Sequence, residues 1–202
     1  MKSIWLIRHG QSRSQTGEEG WADPSLSDLG VRQVKCLKPV MVEQYFDHIR
    51  ISPLLRARQT YELALIKGND ISLDSRLIEC SYGRSYNEIL PYLPPKNYKA
   101  DNYQAWDLSV KERVRSLFNE LRNLSGESIL LIGHWAFFSV LALYSMGIID
   151  LDEPYRHSTK SSMVMDNAAF SILVLNHPRY GNSIAQWNNR SHVENLIEKE
   201  LL

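Results

Sequence analysis

The sequence has little cysteine and no excess charge of either sign. Its two cysteines, Cys36 and Cys80, lack Cys-x-x-Cys spacing, which argues against a structural zinc site and a dithiol redox motif. None of the six histidines lies in a His-Glu-x-x-His pattern, so we expect no bound metal and no metalloprotease activity. The 23 basic and 23 acidic residues cancel, whereas a nucleic-acid-binding protein normally shows a basic excess. We therefore expect no nucleic-acid partner.

Long hydrophobic segments are also lacking. The apolar run at residues 4–7 is far shorter than the core of a secretory signal, and residues 136–144 are too few to span a bilayer. We therefore expect no membrane association and a cytoplasmic location. With 202 residues, 44% hydrophobic and 23% charged, the chain has the composition of a globular protein and the length of one domain over residues 1–202.

Apolar runs and helical periodicities alternate along the chain. Strands are predicted near residues 4–7, 49–51, 71–73, 77–78, 128–132 and 170–175, the last of them followed by a polar tail. Helices are predicted near residues 29–41, 53–66, 109–124 and 136–146, with a kink or break at Pro39, and a loop is predicted at 11–23. The alternation predicts an α/β protein, a three-layer α/β/α sandwich around a mixed, mostly parallel central sheet. Prolines and aromatic residues without a clear period predict a small irregular lid over residues 82–106.

The second predicted helix contains a cation in an unusual place. Ser52-Pro53 predicts its start, because serine is a favoured N-cap and proline fits the first helical position; Gly68 is predicted to close it. Arg56 then lies in the first turn, where the helix dipole disfavours a positive charge unless an anion is bound. A helix N-terminus itself attracts phosphate. The position of Arg56 therefore indicates an anion site.

Two further segments place polar side chains directly after predicted strands. Arg8-His9-Gly10 follows the first strand, and Gly133-His134 follows the strand near 128–132. Ligands of open α/β sheets bind at the carboxyl ends of the strands, so we expect these side chains and Arg56 to converge on one rim. Guanidinium groups match the geometry of phosphate oxygens. The sequence therefore predicts an oxyanion-binding pocket.

The segments that carry these side chains resemble the motifs of one enzyme family. Residues 6–12, LIRHGQS, are similar to the signature of the histidine phosphatase superfamily, which includes the cofactor-dependent phosphoglycerate mutases and related phosphatases. The similarity continues in order through residues 23–27 (DPSLS), 52–60 (SPLLRARQT), 76–79 (RLIE, followed by Gly83), 131–134 (LIGH) and 167–171 (NAAFS). These segments span most of the chain.

The resemblance implies a metal-independent phosphatase that acts without a cofactor. In that reading His9 attacks phosphorus and forms a phosphohistidine. Arg8, Arg56 and His134 hold the phosphoryl oxygens, and Glu79 acts as general acid and then as general base.

Four further residues are expected to contact the substrate: Ser12, Gln15, Tyr82 and Trp135. Two of them depart from the family pattern, which often has asparagine at the position of Gln15 and glycine at that of Trp135. The backbone N–H of Trp135 can still donate to phosphate, while its indole would narrow the pocket or pack beneath it.

Several functions fit the resemblance. The expected partner is a small phosphorylated metabolite, bound by a monomer or a homodimer. A mutase has to hold a second phosphate, but residues 84–112 contain no adjacent arginine pair, which favours transfer to water.

A catalytically silent phospholigand-binding protein is less favoured because nucleophile and acid are both present, and a phosphoprotein substrate stays open. Cysteine-dependent phosphatase chemistry is disfavoured, because no glycine-rich loop joins Cys80 to Arg84. The lid aromatics fit either an apolar or planar substrate or the packing of a small subdomain.

Overall fold

A computed structural model describes residues 1–20, 22–80, 100–101, 110–152, 163–194 and 196 of the chain. Its strands are β1 (Lys2–Arg8), β2 (Tyr45–Ile51), β3 (Lys67–Asp74), β4 (Ala100–Asp101), β5 (Ser128–Gly133), β6 (Phe170–His177) and β7 (Gly181–Asn189). Its helices are α1 (Arg13–Thr16), α2 (Asp28–Met41), α3 (Leu55–Ala64), α4 (Val110–Asn123) and α5 (Trp135–Ser145). Among the residues described, no helix has the length and apolar character needed to cross a bilayer.

The strands form one sheet in the order β4-β3-β2-β5-β1-β6-β7. The pairings between β4, β3, β2, β5 and β1 are all parallel, whereas β6 is antiparallel to both β1 and β7. The expected mixed, mostly parallel sheet is confirmed. Residues 129–133 of β5 are all buried, as a strand covered on both faces requires.

Helices cover both faces of this sheet. On one face, α4 and α5 pack through Leu117 and Phe137 against the strands. On the other face, α2 and α3 pack through Val34 and Ala57. These helices form because their apolar residues recur at helical spacing and can be buried together. The expected three layers are confirmed.

The start of α3 differs from the prediction. The helix begins at Leu55, so the prediction that Ser52 caps it is wrong. The Ser52 side chain is buried, and its Oγ lies 2.9 Å from Nε2 of His134. The Ser52 hydroxyl, predicted to cap the helix, is instead in contact with a residue far away in the chain. The helix also ends earlier than predicted, because Leu65 adopts a left-handed backbone with φ of 53°.

Two strand predictions are wrong. The segment Ser75–Leu77 forms a 3-10 turn instead of the strand predicted near 77–78, and Asp74 caps it by accepting from the Arg76 N–H at 2.9 Å. The predicted polar tail after β6 contains β7, in which Ile184 and Trp187 pack against the core. Most other residues of β7 are polar, so the apolar alternation typical of a strand is weak.

Three smaller differences concern turns and connections. Helix α2 continues through Pro39 to Met41 without the predicted break, although the proline removes the one N–H that would donate to the Lys35 carbonyl. The predicted loop over 11–23 contains the short helix α1. The predicted lid over 82–106 lies outside the described residues, except for 100–101, which pair with β3.

Candidate active site

Neighbouring parallel strands end together at one edge of the sheet. Arg8, the last residue of β1, is paired with Gly133, the last residue of β5. The chain stays in register one residue further: the His9 N–H donates to the Gly133 carbonyl at 3.0 Å, and the Ser52 N–H donates to the Ile132 carbonyl at 2.8 Å. The carboxyl ends of β1, β2 and β5 therefore present their following residues to the same rim.

Glycine is required where the chain leaves β1. A Cβ on Gly10 would lie 2.6 Å from the Gly30 carbonyl oxygen, and a Cβ on Gly30 would lie 2.0 Å from that of Gln11. Both distances are far too short for nonbonded atoms, so the close approach of the chain to α2 excludes any side chain. The Gly10 N–H also donates to Oγ1 of Thr60 in α3 at 3.2 Å. The segment after His9 is thus held between α2 and α3.

The imidazole of His9 has a defined orientation and proton position. Its Nδ1 lies 2.6 Å from the Gly10 carbonyl oxygen, and because a carbonyl only accepts, Nδ1 carries the proton. Nε2 then has a lone pair, which accepts from Nε of Arg56 at 3.2 Å. Burial, reinforced by the charges of Arg56 and Arg8, holds the pKa of His9 well below its ordinary value. The neutral ring therefore presents an unprotonated Nε2.

Two guanidinium groups lie beside this ring. Arg56 is buried, and Arg8 is half-buried with Nη1 donating to the Met165 carbonyl. Burial lowers the pKa of both arginines, and the negative charge of Glu79 opposes that effect. Within the described parts of the chain, neither forms an ion pair with a carboxylate. Two cations thus lie beside His9 without a directly paired counter-ion among the described residues.

His134 lies at the N-cap position of α5 and is fully buried. Its ring centre is 5.1 Å from that of His9. Its Nε2 lies 2.9 Å from Oγ of Ser52, which also accepts a long 3.5 Å hydrogen bond from the Leu54 N–H. A serine hydroxyl can donate to the ring or accept from it, so either nitrogen of His134 can carry the ring proton. Burial, followed by the charge of Arg56, holds the pKa of His134 well below its ordinary value.

Three buried nitrogen atoms in this cluster have no hydrogen-bond partner among the residues described: Nε of Arg8, Nη1 of Arg56 and Nδ1 of His134. Buried polar atoms are nearly always paired, so three such atoms in one place need a reason. A phosphoryl group in transfer has three equatorial oxygens that carry its charge. When Nδ1 of His134 carries its ring proton, all three nitrogens donate, and together they fit an oxyanion next to Nε2 of His9.

Glu79 joins the same site from the turn that follows β3. Its Oε1 accepts from the N–H groups of Cys80 at 2.9 Å and Phe137 at 3.1 Å, and its Oε2 lies 3.4 Å from the N–H of Ala136. The carboxylate therefore lies at the N-terminus of α5, where the helix dipole attracts negative charge. Its charge acts on both Arg8 and Arg56.

Ser12 and Gln15 are engaged within the protein. Ser12 is the buried N-cap of α1, and its N–H donates to Oε1 of Gln15 at 3.0 Å. The amide nitrogen of Gln15 donates to Oδ1 of Asn167 at 3.0 Å. Both ends of the Gln15 amide thus have protein partners, and the side chain joins α1 to the turn before β6.

The indole of Trp135 packs against the site from the start of α5. Its Nε1 donates to the Met163 carbonyl at 2.7 Å, and the guanidinium carbon of Arg8 lies 5.9 Å from its ring centre. The side chain therefore supports Arg8 and the segment before β6. Tyr82, the fourth residue expected to contact the substrate, lies outside the described residues.

The turn before β6 holds the backbone of His9. The side-chain amide of Asn167 and the N–H of Ala168 both donate to the His9 carbonyl, each at 3.1 Å. Residues 167–171 were identified in the sequence only as a segment similar to the family, and this contact was not predicted. The signal was present in the motif, but a turn sequence does not reveal which distant carbonyl it will bind.

Asp23 is another supporting residue that sequence reasoning missed. It accepts from the Leu55 N–H at 2.7 Å and so supplies the cap at the start of α3. Burial raises the pKa of Asp23 to about 6, although the Leu55 hydrogen bond and Arg56 oppose the shift. The DPSLS motif contained this residue, but only the fold brings it to the helix that carries Arg56.

Metal-ligand residues do not cluster in the described part of the chain: no group of three or more His, Cys, Asp or Glu side chains there is suited to hold an ion. The positive charge of the site comes from side chains instead. Arg8 and Arg56 supply permanent charge beside two neutral histidines. This arrangement can bind and stabilise an oxyanion by charge and hydrogen bonds.

Comparison with known proteins gives matches over nearly the whole chain. A model of the histidine phosphatase superfamily (branch 1) matches residues 4–190. Phosphoserine phosphatase 1 from Hydrogenobacter thermophilus is 25% identical over 96% of this chain and 95% of its own. A shorter match joins 31% of this chain to 29% of a 2,3-bisphosphoglycerate-dependent phosphoglycerate mutase from Pseudoalteromonas atlantica, with 42% identity over 66 residues.

The fold has close counterparts among solved structures. The crystal structure of the alpha-ribazole phosphatase from Shigella flexneri aligns with a TM-score of 0.66 at 21% identity, over 93% of this chain and 96% of that one. The same layered architecture thus extends across both chains almost completely.

Proposed function

Because the chain belongs to the histidine phosphatase superfamily and is a phosphatase of that type, we propose that it hydrolyses small phosphate monoesters through a phosphohistidine formed on His9. The observation that carries the proposal is the set of three buried nitrogen atoms around His9, on Arg8, Arg56 and His134, that have no hydrogen-bond partner in the described part of the chain. An anion that binds to them brings its central atom beside Nε2 of His9, whose lone pair accepts from Arg56 in the resting site. A phosphoryl group meets both requirements.

In the first step, Nε2 of His9 attacks phosphorus in line and the bond from phosphorus to the ester oxygen breaks. Glu79, protonated at this stage, gives its proton to the departing oxygen, so that a neutral alcohol leaves. The N–H of Arg56 that occupies Nε2 in the resting site turns to a phosphoryl oxygen. Arg8 and His134 bind the other oxygens and stabilise the spread negative charge.

In the second step, water attacks the same phosphorus atom from the side that the alcohol has left. The Glu79 carboxylate takes a proton from this water, the bond from phosphorus to Nε2 breaks, and inorganic phosphate leaves. His9 returns to its neutral form, and Glu79 is protonated again for the next cycle. The hydrogen bond from Nδ1 to the Gly10 carbonyl supports the phosphorylated ring, because it keeps Nε2 directed at the pocket.

We propose water, and not a second phosphorylated molecule, as the acceptor. A relative that matches over 96% of the chain is named a phosphoserine phosphatase, whereas a match to a mutase from Pseudoalteromonas atlantica covers 31% of it. The absence of adjacent arginines from residues 84–112 of the sequence supports the same choice. A small alkyl phosphate such as phosphoserine is therefore the first substrate to test.

The test is hydrolysis of p-nitrophenyl phosphate and phosphoserine in the presence of EDTA. The wild type should release phosphate from both, and His9→Ala should lose at least about 10³-fold in kcat/KM, as removal of a nucleophile does. His177→Ala is the matched control, since His177 lies at the far end of β6 and contacts the N–H groups of Arg179 and Tyr180. Its rates should equal those of the wild type.

Isotope trapping identifies the intermediate. Brief mixing with ³²P-labelled substrate should leave acid-labile, base-stable label on the wild type and none on His9→Ala. Hydrolysis that survives in His9→Ala would refute the proposed nucleophile. Label on His9 that moves only to a phosphoglycerate, without release of phosphate, would replace the phosphatase with a mutase.

A further inference from the structure

Arg113 is a buried cation that the mechanism above does not use. It lies near the start of α4, and only 5% of it is exposed. Its Nη1 donates to the Arg76 carbonyl at 2.9 Å and to the Ile78 carbonyl. Ile78 directly precedes Glu79, so the guanidinium fixes the backbone from which the Glu79 side chain extends.

Arg113 also contacts the helix residue that binds the carboxylate. Its guanidinium carbon lies 5.2 Å from the ring centre of Phe137. The N–H of Phe137 donates to Oε1 of Glu79 at 3.1 Å. One side chain therefore supports Glu79 from two directions, through the strand-side turn before it and through the N-terminus of α5.

The charge of Arg113 acts on the same carboxylate. Burial lowers the pKa of Arg113, and Cys80, Glu79 and Asp74 oppose that effect. Asp74 is already paired with Arg76, with 2.6 Å between Oδ2 and Nη2. A buried guanidinium is costly unless nearby groups compensate it, and the two carbonyls and Glu79 do so here.

We propose that Arg113 is a positioning residue that holds the Glu79 carboxyl in line with the leaving-group oxygen for both proton transfers. The inference rests on the proposed function, because it concerns the general acid of that reaction. Arg113 also acts by charge on His134, where it contributes to the lowered pKa. That effect is common to all substrates, so the part that acts through Glu79 should appear as a difference between leaving groups.

Leaving groups of different basicity isolate that contribution. The serine alkoxide is strongly basic and needs a proton as the ester bond breaks, whereas p-nitrophenolate leaves readily without one. The value of kcat/KM reports steps up to the first irreversible one, which includes transfer to His9. A fault in the placement of Glu79 thus lowers kcat/KM for phosphoserine far more than for p-nitrophenyl phosphate.

The experiment compares Arg113→Met with Arg115→Met on these two substrates. For Arg113→Met we expect kcat/KM to fall about 10²-fold with phosphoserine and less than about 5-fold with p-nitrophenyl phosphate, within the range of general acid catalysis. Arg113→Lys, which keeps the charge but lacks the fork that spans two carbonyls, should recover part of the loss. Arg115 lies on the same helix but pairs with Asp152 near the surface, so its variant should match the wild type.

A double-mutant cycle tests directly whether Arg113 acts through Glu79. In the Glu79→Gln background, Arg113→Met should have little further effect on either substrate, since the group that it positions is already absent. Equal losses on the two substrates, or full additivity with Glu79→Gln, would overturn the inference and leave Arg113 a packing residue. If Arg113→Met does not fold, Arg113→Lys carries the same comparison. A wild type that hydrolyses neither substrate would instead refute the proposed function.

Discussion

Two groups of arginines lie along the same sheet. Within the described part of the chain, one group is paired with carboxylates and the other is not. Arg56 and Arg8 face His9, and each has a buried N–H without a partner among the described residues. Arg50 and Arg76 lie toward β3 and are saturated by carboxylates: Nη2 of Arg50 is 2.8 Å from Asp70, and Nη2 of Arg76 is 2.6 Å from Asp74. Glu120 of α4 pairs with both Arg50 and Arg76 and joins them into one network.

The pKa values of Arg76 and Arg56 shift in opposite directions. Although burial lowers the pKa of Arg76, Asp74 and Glu120 raise it above the ordinary value. Burial dominates at Arg56, and its pKa is lowered. A cation in the first situation stabilises the fold, while one in the second costs free energy until an anion arrives. The arginines of the candidate site can therefore form favourable interactions when an anionic ligand binds.

Removal of one arginine from each group should have opposite effects on activity and on stability, and the largest effect is expected for Arg56→Met. The variant should lose about 10³-fold in kcat/KM, because a preorganised donor to the developing charge is gone. Its free energy of unfolding should stay level or rise, since an unpaired buried cation has been removed. Steady-state kinetics and urea unfolding measure the two quantities. A strongly destabilised Arg56→Met would mean that this arginine, too, is a structural cation.

Arg76→Met should show the reverse. It leaves the buried Asp74 carboxylate and Glu120 without their shared partner, which should lower the free energy of unfolding by about 3 kcal/mol. The kcat/KM of the folded enzyme should stay within a few-fold of wild type, because the Arg76 side chain does not reach His9. Urea unfolding with kinetics below the transition tests both statements. A loss of activity as large as that of Arg56→Met would abolish the distinction between the groups.

Much of the fold was predictable because it depends on local patterns. The uninterrupted apolar runs of β1 and β5 and the helical spacing in α2 and α4 specify elements that bury the same residues in any α/β arrangement. The start of α3 was not predictable in this way. Ser52 has the right side chain and the right neighbour for a cap, but its hydroxyl bonds to His134, 82 positions further along the chain. Strand β7 forms through its pairing with β6, which its polar composition conceals.

The candidate site also combines residues that local sequence patterns indicate with contacts that only the fold determines. Sequence indicated Arg8, His9 and His134 because they directly follow strand patterns, and strand ends locate ligands in α/β sheets. It also indicated Arg56, from its place in the first turn of a predicted helix, but gave no sign that Arg76 would instead be paired with carboxylates. Only the fold determines which of them receives carboxylates from distant elements, such as Glu120, 44 positions from Arg76.

Asp23 is the intermediate case and gives the smallest expected effect. It lies near Arg56, but its Oδ1 accepts a hydrogen bond from the Leu55 N–H. Burial raises its pKa from 3.8 to about 6. A carboxyl with a raised pKa stabilises the folded state fully below its unfolded pKa, and this contribution is lost as pH rises through the folded pKa. Wild-type stability should therefore decline between about pH 4 and pH 7 relative to a variant that cannot ionise at this position.

Asp23→Asn is that variant, because its amide oxygen can still accept from the Leu55 N–H. Below about pH 3 the two proteins should be equally stable, and at pH 8 the variant should be more stable by about 2 kcal/mol, since each pKa unit corresponds to about 1.4 kcal/mol and partial exposure reduces the effect. Urea unfolding across this pH range measures the difference, and Asp150→Asn on the surface provides the control. A wild type that is the more stable protein at pH 8 would show that Asp23 is a true counter-ion of Arg56, and the site would then resemble the saturated network beside it.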